Sequence, residues 1–190
     1  LNEDGMVYDD GVTTRLDENH YIMTTTTGGA VNVMNKLEDY LQTEWPELEV
    51  YLTSVTDHFA TVSICGPNSR KILSKVITEL DLSNENFPHM TFKNAKIGKI
   101  NCRVMRISFT GEHSYEINIQ ANYGNSVWEK CMAAGKKFNI TPYGTEAMHL
   151  LRAEKGFIIV GQDTDGTMTP IDLQMNWIVS KKKYDFIGKR

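Results

Sequence analysis

The chain has 190 residues, 41% hydrophobic and 23% charged, with 24 acidic against 20 basic side chains and a net charge of −4. That composition suits one globular domain or two small lobes and excludes a largely disordered chain. The acidic balance argues against a nucleic-acid binder, which needs basic surface to neutralise phosphates; the run Lys181, Lys182, Lys183 reads as a solvated loop.

In chain order, "GMVYDDGVTTRL" and "HYIMTTTT" read as strands joined at the polar turn "DENH". "GGAVNVMNKLEDYLQTEW" follows as a helix, with Val31, Met34, Leu37 and Leu41 at helical spacing and Pro46 as its stop. "LEVYLTSV" and "HFATVSIC" read as strands, and "GPNSRKILSKVITEL" as a helix with Ile72, Leu73, Val76 and Ile77 inward. The first lobe, residues 1–80, is thus expected to run strand-strand-helix-strand-strand-helix. The polar connection "DLSNENFPHM" marks the expected boundary to a second lobe, residues 81–190.

In that second lobe "KIGKINCRVMRISF" predicts two strands around a glycine turn, and "YEINIQ" a third. "YGNSVWEKCMAAGKKF" predicts a helix ending near Gly135, and "TPYGTEAMHLLRAEKG" another, with Pro142 early and Gly156 at its close. "FIIVGQDTDGTMTP" reads as strand then loop, and "LQMNWIVS" as a last short strand. Strands and helices in mixed order, joined mostly by hairpins, imply an α+β fold rather than a parallel α/β sheet. Mixed or antiparallel sheets with helices packed on one face are expected.

Cys65, Cys102 and Cys131 are far apart, with no CxxC pair and no zinc-type Cys/His spacing, which suits a reducing compartment and predicts no metal site. No apolar run is long enough to span a bilayer, and "LNEDGMVYDD" has no leader pattern, so a soluble, cytoplasmic protein without membrane or nucleic-acid partners is expected. An opening on Leu1 and a stop at "DFIGKR" read as a piece cut from a longer polypeptide. An intact mass near 21.6 kDa for the native product would overturn that expectation.

The chain carries no phosphate loop, no GxGxxG after a strand, no HExxH and no GxSxG. His58 and His149 stand alone and read as structural. Three places invite chemistry. Asp9 and Asp10 interrupt a strand-like segment, where aspartate is depleted; they either flank a wet bulge at Gly11 or point one carboxylate into a cleft as proton acceptor or cation stabiliser. Glu116 alternates with Tyr115, Ile117 and Ile119; it is either plain surface or a carboxylate able to pair with a donor-donor edge such as that of a pterin. "TTTTGGA" leads a strand into a helix whose free N–H groups either attract an anion or are capped at Thr27 or Gly28.

"LNEDGMVYDDGVTTRL", "SFTGEHSYEINI", "YGTEAMHLLRAEKGFIIVGQDTDGTMTP" and "DFIGKR" occur here in the order seen in folate-dependent aminomethyltransferases, and the chain resembles that family over essentially its whole length. The family includes the glycine-cleavage T-protein and the C-terminal halves of dimethylglycine dehydrogenase and sarcosine oxidase. "TSVTDHFATVSICGP" and "NFPHM" resemble the branch formed by alpha subunits of bacterial heterotetrameric sarcosine oxidases. The resemblance implies the family's folate-binding fold, in part, and tetrahydrofolate as ligand. It implies Asp10 as the catalytic carboxylate beside the reactive folate amine, with Asp9 its neighbour, and Glu116, the last position of "FTGEHSYE", as the pterin-binding glutamate. Phe109 stands where relatives often carry tyrosine, Ser114 where they carry glycine, and Met148 where the T-protein has an arginine one turn before Arg152. Arg152 is either a folate contact or a helix-end salt bridge.

The reaction implied for the whole enzyme passes the one-carbon unit of sarcosine's oxidised N-methyl group to tetrahydrofolate, giving methylenetetrahydrofolate and glycine. Flavin and NAD are expected in other segments or in other sarcosine oxidase subunits, so this chain should not oxidise sarcosine alone. The alternative is a non-catalytic folate-binding or interface domain on the same fold. The folate-sensing and iron–sulfur assembly relatives of that kind carry a cysteine in the stretch matching "EKGFIIVGQD", and none is present here.

Overall fold

The computed structural model describes residues 1–189; the arginine that closes "DFIGKR" lies outside the described residues. The chain forms two compact units. One is Val55–Phe157; the other combines Leu1–Ser54 with the chain from Ile158 onward. No helix among the described residues is long and apolar enough to cross a membrane.

The Val55–Phe157 unit is built on four strands, with two helices flanking them in sequence. They are β3 (Phe59–Cys65), α2 (Ser69–Val76), β4 (Phe92–Ile97), β5 (Ile100–Met105), β6 (Ser114–Gln120) and α3 (Gly124–Gly135), and a last helix, α4 (Thr145–Glu154), follows. The sheet order is β3-β6-β5-β4 and every pairing is antiparallel. Alternation assigns the faces. Val62 and Ile64, Cys102 and Val104, and Tyr115, Ile117 and Ile119 point into one core with Ile72 and Leu73 of α2 and Val127 and Cys131 of α3. Gly98 takes φ +63° in the tight link between β4 and β5, a conformation that suits glycine. Helices on one face of an antiparallel sheet are the α+β arrangement expected from the order of elements.

The connection 81–90, expected as a boundary between lobes, runs within this unit. Most of its polar residues are exposed, but Leu82 and Phe87 are buried in the core, Phe87 completely. Two apolar anchors in ten residues outweigh the polar average that made the stretch look like a linker.

The other unit contains the hairpin of β1 (Thr13–Asp17) and β2 (His20–Met23), followed by α1 (Ala30–Thr43). The Arg15 guanidinium donates to the carbonyls of Asp17 at 3.2 Å and Glu18 at 3.0 Å and so ties the turn. No residue of α1 is fully buried, and Val31, assigned to the apolar stripe from its spacing, is 69% exposed. Three expected strands are absent: "LEVYLTSV" and "FIIV" form no ladder, and within "LQMNWIVS" Asn176–Ile178 makes a single 3-10 turn. Apolar alternation makes a strand only where a neighbour takes up the backbone N–H and C=O groups. Among the described residues none pairs with these segments. Residues 6–12 likewise run outside the sheet, held in part by Val7 N–H donating to Met168 O at 2.8 Å.

Candidate functional site

Asp9 and Asp10 lie next to each other in that stretch and behave differently. Asp9 is engaged: its carboxylate accepts from Thr26 N–H at 3.0 Å, from the Thr26 hydroxyl at 3.0 Å and from Asp10 N–H at 2.7 Å. Gly29 caps α1, and a β-carbon there would stand 1.6 Å from Asp9 Oδ2, so only glycine leaves room for this carboxylate. The entry to α1 therefore faces an anion belonging to the protein itself, and Thr26 Oγ1 in turn accepts from Gly29 N–H at 3.1 Å. Neither Thr27 nor Gly28 makes a side-chain cap; the N-cap position falls to Gly29. Gly11 is equally constrained, since a β-carbon would meet Thr24 O at 1.9 Å.

Asp10, by contrast, is half-buried and accepts no hydrogen bond from a described side chain. Burial raises its pKa above the ordinary carboxylate value, the neighbouring Asp9 charge adds to this, and a backbone hydrogen bond opposes it. The result is a carboxylate with raised proton affinity beside one held firmly in place.

In the Val55–Phe157 unit, Glu116 lies on the sheet face away from α2 and α3. Its register partners are Ser63 on β3 and Met105 on β5. It is partly buried, has no hydrogen-bond partner among the described residues, and burial alone raises its pKa. A desolvated acceptor left open in this way fits a ligand edge that offers two donors. Tyr143, just before α4, comes over the same face, its hydroxyl 3.5 Å from Ser63 Oγ. Burial raises the pKa of Tyr143, with the Cys65 side chain and the Glu116 charge adding and the Ser63 hydrogen bond opposing. Nothing in the sequence pointed to Tyr143, because only the folded loop brings residue 143 to residue 63.

Phe109 is half-buried in the turn before β6. That turn rests on the end of α4. A β-carbon on Gly111, at φ +75°, would strike the Lys155 side chain at 2.1 Å, and Lys155 reaches Glu112 at 3.8 Å. Ser114, in place of the glycine expected there, opens β6 with its hydroxyl 3.4 Å from Ser63 Oγ and leaves the strand intact. Arg152 is 6% exposed in the last turn of α4, and its Nη1 donates to Phe157 O at 3.0 Å, closing the helix end through a carbonyl. Met148 is half-buried one turn earlier. The lysine run 181–183 is exposed, as expected of a solvated loop.

Comparison with known proteins shows the family. A family model described as GCVT N-terminal domain matches residues 1–183. The chain is 60% identical to sarcosine oxidase subunit alpha of Corynebacterium sp. strain P-1, over 98% of this chain and 19% of that one. It is 31% identical to an aminomethyltransferase of Chloroherpeton thalassium, over 100% of this chain and 50% of the other. The chain thus spans about a fifth of the first relative and half of the second. The crystal structure of the glycine cleavage system aminomethyltransferase T of Bartonella henselae superposes with a TM-score of 0.79 at 24% identity, covering 95% of this chain and 46% of that one, a likeness of fold. A family match along 1–183, carried on an α+β fold of the same type, means that the chain belongs to the GCVT N-terminal domain family.

Proposed function

We propose that the chain is the tetrahydrofolate-binding, aminomethyltransferase-type part of a sarcosine oxidase alpha subunit. The observation that carries this reading is Glu116: a partly buried carboxylate on an open sheet face, desolvated, with no donor of its own. Such a group gains most from a ligand that brings a ring N–H beside an amine, as a pterin does. Phe109 supplies an apolar surface in the turn before the same strand, without the hydroxyl of the relatives' tyrosine. Arg152 is assigned to holding the end of α4 through Phe157 rather than to ligand.

Tetrahydrofolate, when bound, supplies the amines that take up the one-carbon unit of sarcosine's oxidised N-methyl group, giving methylenetetrahydrofolate and glycine. Asp10 has the raised proton affinity needed to accept a proton at a carboxylate oxygen, and when ionised it stabilises positive charge nearby. Asp9 positions it by accepting its N–H at 2.7 Å. Flavin chemistry and any NAD site are assigned to other segments or subunits of the parent assembly. Ile171 and Trp177, each 74% exposed, and Tyr184, 94% exposed, are suited to contacts with such partners.

Calorimetric titration with a stable reduced folate tests the reading. Wild-type binding weakened by about 1.5–3 kcal/mol in Glu116→Gln is the expected result, the range for a charge-assisted hydrogen bond. Equal affinity in both would overturn the assignment of Glu116.

A further inference from the structure

Around the Tyr143 hydroxyl, β3 presents Ser63 and Cys65 and β6 presents Ser114 and Glu116. Ser63 pairs in register with Glu116, and Cys65 with Ser114. Residues paired across two strands carry their β-carbons about 5 Å apart on one face. The Tyr143 hydroxyl, 3.5 Å from Ser63 Oγ, therefore stands over the immediate neighbour of Glu116.

The hydroxyls here are loosely held. The Tyr143–Ser63 contact is 3.5 Å and the Ser63–Ser114 contact 3.4 Å, against about 2.7–2.8 Å for a well-made O–H···O bond. A donor held so weakly gives up little by turning to a ligand. Ser63 is exposed, so the patch is open to one. Burial, the Cys65 side chain and the Glu116 charge raise the Tyr143 pKa, with the Ser63 hydrogen bond opposing, so the phenol keeps its proton and stays a donor.

A pterin edge carries three groups in a row: the 2-amine, the ring N3–H and the 4-oxo group. The first two donate and suit the Glu116 carboxylate. The third accepts, and it needs a donor close beside that carboxylate. On the β5 side Glu116 is paired with Met105, which has no side-chain donor. On the β3 side it is paired with Ser63, over which Tyr143 lies.

Resting on the assignment of Glu116 to the donor edge of a pterin, we infer that Tyr143 is a specificity-determining residue of this site: its hydroxyl, held in place by Ser63, donates to the 4-oxo group next to that edge, so that the chain selects pteridines with a carbonyl there.

The test pairs a stable reduced folate with its 4-thioxo analogue, which keeps the amine and the N3–H but exchanges the oxygen for sulfur, a weak acceptor. Both are titrated calorimetrically on wild type, Tyr143→Phe, Ser63→Ala and Glu116→Gln. Wild type should bind the oxo form about tenfold tighter, the worth of one hydrogen bond. Tyr143→Phe keeps the ring and should bring the ratio of the two affinities close to one by weakening only the oxo ligand. A merely structural role would weaken both ligands and leave the ratio unchanged. Ser63→Ala should lower the ratio part of the way. Glu116→Gln should weaken both ligands at an unchanged ratio. A wild-type ratio near one, or a ratio that Tyr143→Phe leaves intact, overturns the role of Tyr143 while the Glu116 reading stands on its own variant. Affinities for both ligands that Glu116→Gln leaves unaltered overturn the Glu116 reading, and with it the edge to which Tyr143 is assigned. No binding of either ligand by wild type overturns both.

Discussion

The two units of this chain hold themselves together by different means. Apart from Pro170, every buried apolar side chain among the described residues belongs to Val55–Phe157. There, a four-stranded sheet and two helices close over Phe87, Tyr115, Ile117 and Leu73. The other unit has a two-stranded hairpin, a helix without a buried residue, and Tyr51, Trp177 and Tyr184 in the open. Its local order comes from polar devices instead: the Asp9 carboxylate on Thr26, the close approaches at Gly11 and Gly29, and the Arg15 turn. Hydrophobic burial is cooperative and supplies most folding free energy, whereas a single hydrogen bond contributes about 1 kcal/mol net. The difference teaches that one unit carries the stability and the other depends on a few placed contacts.

The largest expected effect follows from the core. Phe87→Ala should destabilise Val55–Phe157 by about 3–5 kcal/mol in denaturant unfolding, as removal of a buried phenylalanine does. Leu37→Ala in α1, where the side chain is only half-buried, should cost far less. Equal costs would erase the contrast between the units. Hydrogen exchange gives the same comparison without mutation: amides of β3, β5 and β6 should be protected close to the global limit, and those of α1 should exchange through local opening.

Next in size is a change at Glu116, which pulls stability and binding in opposite directions. Its folded pKa is raised, so its contribution to stability is fully present below the unfolded value and is lost as pH rises through the folded one. Stability of Val55–Phe157 should fall over that interval, and Glu116→Gln should remove the fall. Folate affinity should do the reverse, rising as the carboxylate ionises. A pH-independent affinity that Glu116→Gln leaves unaltered would count against its contact with ligand.

A smaller effect separates two adjacent glycines. Gly29→Ala drives a β-carbon into the Asp9 carboxylate and should cost about 1–3 kcal/mol, with Thr26 N–H losing protection. Gly28→Ala meets nothing within 4 Å and should be close to neutral. Asp10→Asn should leave the fold unchanged; in the oxidase proposed as the parent it should stop methylenetetrahydrofolate output while peroxide formation continues. Loss of both products would count against its proposed role.

Much of this was legible in the residues. Alternation located β3, β5 and β6 and named the inward face of β6, because each pairs with a neighbour over its length. Helical spacing found α2, with Ile72, Leu73 and Ile77 buried as expected. The motifs singled out Asp10 and Glu116. What the residues did not disclose depends on contacts distant in sequence. Periodicity cannot say whether a strand-like segment has a partner, which is why it predicts strands at "LEVYLTSV" and "LQMNWIVS" where none forms. Polarity averaged over 81–90 concealed two buried anchors.

By itself, then, the sequence determined the α+β class, through the order of its periodic segments, and the family, through the motifs that resemble it, and it singled out Asp10 and Glu116 as candidates. Only the tertiary structure decided that Asp9 is occupied by Thr26 while Asp10 is left open, and that Tyr143 meets Ser63. It alone set Arg103 beside Phe59 with two donors unanswered. Each of these is a matter of which groups are desolvated and by what, and burial is a property of the folded surroundings rather than of the residue.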